Sequence, residues 1–148
     1  MKIRQGFVSN SSSSSFIVIS KGKCIHPSWY GQDLVIFGDC GNSQFGWEFE
    51  RWNDIESKIN FCYIQARDVK REDWIEMLEK VLKRECSIQE IDWNLLKEDP
   101  NSWSHDAYID HQSSSKEGRN TEMFDSEENL MNFIFNPDSY IQGGNDNV

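Results

Sequence analysis

The densest group of ionisable side chains in the chain lies in Ser104 to Gln112 (SHDAYIDHQ). His105, Asp106, Asp110 and His111 there are the residue types that supply an acid, a base or metal-ligating atoms to a hydrolytic reaction. Apolar and polar letters alternate, so the stretch reads as a strand with Asp106, Tyr108 and Asp110 on one side and His105, Ala107, Ile109 and His111 on the other. That geometry limits cooperation within the stretch. His105 and His111 fall roughly 20 Å apart and Asp106 and Asp110 about 13 Å apart, too far for either pair to share one ion. Partners would have to come from elsewhere in the chain, such as Glu48, Glu50 or Asp146. Asp106, Asp110 and His111 are the candidate catalytic residues, and solvated side chains at a sheet edge account for the same letters. No GxSxG elbow singles out a nucleophilic serine. The GGNDN segment near the end lacks the alternating oxygen spacing of a calcium loop, so no metal is assigned and no motif indicates a cofactor.

The second chemical candidate is Gly6 to Phe16 (GFVSNSSSSSF), where Ser9 and Ser11 to Ser15 place six hydroxyls between the apolar pair Phe7-Val8 and the apolar run Phe16 to Ile19. With only Met1 to Gln5 ahead of it, a flexible tether has nothing to carry, so the tract is expected to join a short N-terminal strand to a strand over Phe16 to Ser20. Side chain to backbone bonds from serine and asparagine suit a hairpin loop. A sharper reading makes Ser11, Ser12, Ser13 and Ser14 a backbone nest for an anion such as a nucleotide phosphate. Glycine does this better, and no Walker-type lysine follows.

The wording RQGFVSNSSSSSFIV, with FGWEFERWNDIESKINFCYIQ, YIDHQSSS and NPDSYIQGGNDNV further on, resembles a family of small uncharacterised proteins of bacteria and their phages. The resemblance spans most of the chain. It implies a bacterial or viral intracellular origin and a single compact unit, and it brings no activity and no catalytic residues.

Charge argues against one class of function. Fifteen Lys and Arg against 25 Asp and Glu give a net charge of −10, whereas a general nucleic-acid binder needs clustered cations to neutralise phosphates. A basic partner surface suits the chain better. No signal peptide or membrane-length apolar run is present, so a cytoplasmic location is expected. Cys24, Cys40, Cys62 and Cys86 are scattered without metal-site spacing and read as reduced, mostly buried thiols. Aromatic residues make up 13% of the chain and include six tryptophans; a surplus of this kind marks an interface or the stacking site of a flat ligand.

The elements follow from periodicity. Asp33 to Gly38 reads as a buried strand, and Gln44 to Glu50 alternates with Phe45, Trp47 and Phe49 on one face. Asn53 or Asp54 caps a helix whose inner stripe is Ile55, Ile59, Cys62, Tyr63 and Ala66. After a turn at Arg67-Asp68, a second helix runs from about Val69 to Glu85 with Trp74, Met77, Leu78, Val81 and Leu82 inward. Glu76–Lys80 and Glu79–Lys83 pair along its outer side. Ile88 to Leu95 is a further strand. Asp125 and Glu128 form a capping box for a short helix through Asn136, and Tyr140 to Val148 is a tail or a turn.

Together these give an α+β fold over residues 1–148: one domain, a mainly antiparallel sheet, two longer helices on one face and a short C-terminal helix. The function expected is that of a non-enzymatic binding protein that docks on a bacterial or host protein or captures a small charged ligand. The phage-like resemblance adds interference with a host process such as immunity or transcription. The alternative is a small hydrolase or nucleotide-processing enzyme, with the serine loop on phosphate and the Asp106–His111 strand as acid, base or metal ligands.

Overall fold

The computed structural model describes residues 13–46, 49–97, 107–109 and 121–145. Along the chain come β1 (Ser13–Val18), β2 (Leu34–Ile36), β3 (Gln44–Phe45), β4 (Arg51–Trp52), α1 (Ile55–Asp68), α2 (Glu72–Cys86), β5 (Glu90–Asp92) and β6 (Tyr108–Ile109). A 3-10 turn (Glu122–Asp125), α3 (Glu127–Phe135) and β7 (Tyr140–Asn145) complete the order. The fold is α+β. Antiparallel pairing builds the largest sheet, with strand order β1-β7-β4, while β2-β5 and β3-β6 are short parallel pairs.

Asp54 caps α1 by accepting a hydrogen bond from the Ser57 N–H at 3.0 Å. The expected stripe Ile55, Ile59, Cys62, Tyr63 and Ala66 is buried, but so are Ser57, Lys58, Asn60, Phe61, Ile64 and Gln65. A helix closed in on every side is an interior helix, and elements pack around it. Several of its polar groups are bonded by the chain: Asn60 Nδ2 donates to the carbonyls of Cys40 and Asn42 at 3.1 and 3.0 Å, and the Ser57 hydroxyl accepts from the Asn42 N–H at 2.7 Å, while Asn60 Oδ1 is buried with no hydrogen-bond partner among the described residues. Gly41 lets that loop approach the helix, since a Cβ there would stand 2.7 Å from Ser57 N at a φ of +79°.

The turn between the long helices comes later than periodicity suggests. α1 continues through Arg67 and Asp68, and Lys70 at φ 61° reverses the chain before α2 starts at Glu72. Arg67 is retained in the helix because its guanidinium donates to the carbonyls of Leu96 and Ala107 at 2.8 and 3.1 Å. On α2, Leu78, Val81 and Leu82 are buried, while Trp74 and Met77 are half-buried. The outward charges reach to other elements. Lys80 pairs with Glu127 of α3 at 3.0 Å, and Glu79 accepts the Trp93 indole N–H at 2.7 Å.

Several strands depart from expectation. In β2 only Val35 is buried, and Leu34 and Ile36 are each 47% exposed. The Gln44 to Glu50 strand is interrupted: β3 ends at Phe45, Gly46 takes a φ of 115°, and pairing resumes at β4. Phe45 is fully buried whereas Phe49 is 85% exposed, so the two do not share an inward face. The C-terminal tail is neither solvated nor a turn up to Asn145. It is the central strand of the three-stranded sheet.

At α3 the cap is Ser126, whose hydroxyl accepts from the Asn129 N–H at 3.0 Å; Asp125 ends the preceding 3-10 turn. Ser126 wins because its extended backbone (φ −161°, ψ 162°) aims Oγ at the first free N–H groups. Ser126→Ala is expected to cost about 1 kcal/mol in urea unfolding, and Asp125→Ala much less. The reverse ranking would restore the Asp125 box.

Candidate functional site

Asp106, Asp110, His111, Ser11 and Ser12 lie outside the described residues, as do the possible partners Glu48 and Asp146. Between the two acids, Ala107 and Ile109 are buried and Tyr108 is half-buried; Tyr108–Ile109 is strand β6, paired with β3, and the rest of the Ser104 to Gln112 stretch, His105 included, lies outside the described residues. Ser13 and Ser14 belong to β1, with register partners Asn145 and Gly144. Their backbone therefore runs in an antiparallel ladder, and the reading of Ser13 to Ser15 as part of a loop is corrected. The ladder forms because the C-terminal Tyr140–Asn145 segment supplies the partner strand, a pairing across the length of the chain that local sequence cannot reveal. A ladder consumes alternate N–H groups, which a phosphate nest would need free.

What the structure brings together instead is an exposed face on that sheet. Register places Phe16 of β1, Gln142 of β7 and Arg51 of β4 in one row, with Val18 beside Tyr140 in the next. The opposite face carries Ile141, Trp52 and Ser15, all buried against the core. On the outer face Phe16 is 51% exposed. Glu50 exchanges both backbone bonds with Gly143, at 3.2 and 2.8 Å, so strand alternation sets Phe49 on the same side as Arg51. The Arg51 guanidinium lies 4.0 Å above the Tyr140 ring and donates through Nε to Gln142 Oε1 at 3.1 Å. Two phenyl rings, a tyrosine and an arginine on one side of the sheet are residue types that anchor protein contacts.

Sequence reasoning missed this face. Alternation alone puts Phe49 on the buried side with Phe45, and Tyr140 and Gln142 read as part of a tail. The available signal was the short alternation Tyr140-Ile141-Gln142, which only acquires meaning once a partner strand is known.

Most other aromatics pack inside. Trp29, Phe37, Trp93 and Tyr63 form a continuous series of ring contacts at 5.3, 5.0 and 4.4 Å. Trp29 and Trp93 donate their indole N–H groups to Glu56 and Glu79. These tryptophans are consumed by the core and by helix contacts, so among the described residues the sheet face carries the most exposed phenylalanines, Phe16 and Phe49.

Lys58 is fully buried on α1 and donates through Nζ to the carbonyls of Asn136 and Ser139, each at 2.9 Å. Asn136 ends α3, whose C-terminal dipole favours a cation. Burial nevertheless lowers the Lys58 pKa to about 8, against the opposing influence of Asp54, Cys62, Cys24 and Asp138. Cys62 stands one turn along the same helix, so it does have a basic neighbour. Burial still raises its thiol well above the ordinary range, and Cys86 is raised to about 12 by burial and then Glu85. Both are unreactive core residues. Cys24 and Cys40 are exposed, contrary to the expectation of mostly buried thiols.

Among the described residues no cluster of three or more His, Cys, Asp or Glu could hold a metal ion, and no helix is long and apolar enough to cross a membrane. The chain matches no protein-family model, no curated protein and no solved structure.

Proposed function

We propose that the chain is a non-enzymatic binding protein that docks on a partner protein through the outer face of the β1-β7-β4 sheet. The observation that carries this reading is the exposure of Phe16 and Phe49, 51% and 85%, beside the Arg51–Tyr140 stack. Apolar rings left in water on a rigid sheet gain free energy when covered, at about 25 cal/mol per Å². The rest of the molecule is acidic, with a net charge of −10, so the favoured partner carries an apolar patch rimmed by Lys or Arg, and a second copy of the same chain is repelled. The motif resemblance supports a bacterial or phage origin and a partner within a host process such as immunity or transcription.

A photoreactive side chain installed at Val18, on the same face, tests this in the cell of origin. The expected result is a discrete cross-linked protein that disappears in Phe16→Ala/Phe49→Ala, while thermal unfolding of that variant stays within about 1 kcal/mol of the parent. A cross-link that persists undiminished in the double variant would remove this face from the interaction.

A further inference from the structure

A groove of about 610 Å³ runs between α2 and β5, with Glu79 and Lys83 from the helix and Glu90, Ile91 and Asp92 from the strand along its walls. It is separate from the sheet face described above, and its geometry points to a different kind of contact. β5 pairs with β2 along one edge: the Glu90 N–H donates to the Asp33 carbonyl at 2.8 Å, and the Asp92 carbonyl accepts from the Phe37 N–H at 3.0 Å. Successive residues of a strand direct their backbone groups to opposite edges. The N–H and C=O of Ile91 therefore point away from β2, and among the described residues no strand lies on that side. Ile91 is only half-buried and lines the groove. An unpaired strand edge facing a helix across an open groove accepts an extended chain, whose main chain bonds the edge and whose alternate side chains meet the walls.

Charge selects among extended chains. The groove holds three carboxylates, Glu79, Glu90 and Asp92, against the ammonium groups of Lys83 and Lys97. Two of the three have other duties, since Glu79 accepts from Trp93 Nε1 and Asp92 Oδ1 accepts from the Asn94 N–H at 2.8 Å. Glu90 is exposed at the groove wall. With the chain at −10 overall, an acidic segment or a second copy approaches against the field, and a basic one with it.

We propose that this groove binds an extended segment of a partner protein by strand addition to β5, with apolar side chains alternating with Lys or Arg. The segment's basic groups meet Glu90, and its backbone bonds Ile91.

The test uses the full chain and a short synthetic peptide alternating valine and lysine, with binding followed by titration calorimetry. A matched peptide alternating valine and glutamate, and a version of the lysine peptide N-methylated at alternate residues, serve as comparisons. Binding of the lysine peptide is expected, weakened about tenfold or more by N-methylation and about tenfold by Glu90→Lys. Phe16→Ala/Phe49→Ala should leave it unchanged, which separates this site from the sheet face. No detectable binding of the lysine peptide, equal binding of the glutamate peptide, or indifference to N-methylation would each overturn the proposal. Because N-methylation alters the peptide and not the protein, that arm is free of any folding defect in a variant.

Discussion

Phe61→Ala is expected to lower the unfolding free energy by about 4 kcal/mol, which for a domain of this size moves the melting temperature down by roughly 12 °C. Phe61 is fully buried on α1, with its ring centroid 5.1 Å from Phe45 and 6.4 Å from Phe133. Phe45 in turn meets Trp52 edge-on at 5.2 Å. One ring thus joins the short β3 strand, the buried side of the three-stranded sheet and α3. Its removal leaves a cavity walled by other aromatic rings, which cannot collapse inward without breaking their own contacts. Phe49→Ala provides the comparison: the same chemistry at 85% exposure is expected to cost less than about 0.5 kcal/mol. Urea unfolding of both variants checks the contrast. Similar losses at the two positions would mean that the packing around α1 is not as described.

Lys58→Ala is the second large effect, and it carries a pH dependence whose sign is fixed by linkage. Truncation removes buried methylenes and leaves the Asn136 and Ser139 carbonyls without their shared donor. It also relieves the cost of holding an ammonium away from water. The balance at neutral pH is a loss of about 3 kcal/mol, and Lys58→Met, which keeps the volume, is expected to lose about 1 kcal/mol. In the folded chain Lys58 releases its proton near pH 8, against an ordinary value of 10.5. The unfolded state therefore binds more protons between these values, and the contribution of Lys58 to stability rises with pH through that window. Below about pH 8 the burial cost is fully present. The penalty of either substitution should grow by about 1 kcal/mol from pH 7 to pH 9. A penalty that stays constant or shrinks would show that Lys58 is not titrating in a desolvated site.

The thiols act in the opposite direction. Cys62 and Cys86 hold their protons above the ordinary value of 9.0 when folded, so the unfolded chain ionises first and stability falls as pH rises past 9. Comparing parent and Lys58→Met at each pH cancels most of this term and isolates the lysine.

Much of the fold was legible because it is written locally. The Asp54 cap, the stripe Ile55-Ile59-Cys62-Tyr63-Ala66 and the inward Leu78-Val81-Leu82 face of α2 follow from helical spacing within one or two turns. The α+β class follows from the alternation of such stripes with short β-branched runs. The acidic balance and the aromatic content are equally plain in the sequence, since they are sums over the chain and need no pairing.

Tertiary structure decided the rest, because it depends on which distant segment arrives beside which. The serines at 13 to 15 are a strand only because residues 143 to 145 lie alongside them. Phe49 and Phe45 differ in exposure where the neighbouring strands β3 and β4 pair with different partners, β6 and β7, and Lys58 is buried where the end of α3 and the turn after it meet it with two carbonyls. A side chain's spacing fixes its neighbours one turn or two residues away. Whether it meets water, a partner strand or a helix end depends on long-range pairing, to which local propensity is blind, and the candidate binding surfaces of this protein are made entirely of such pairings.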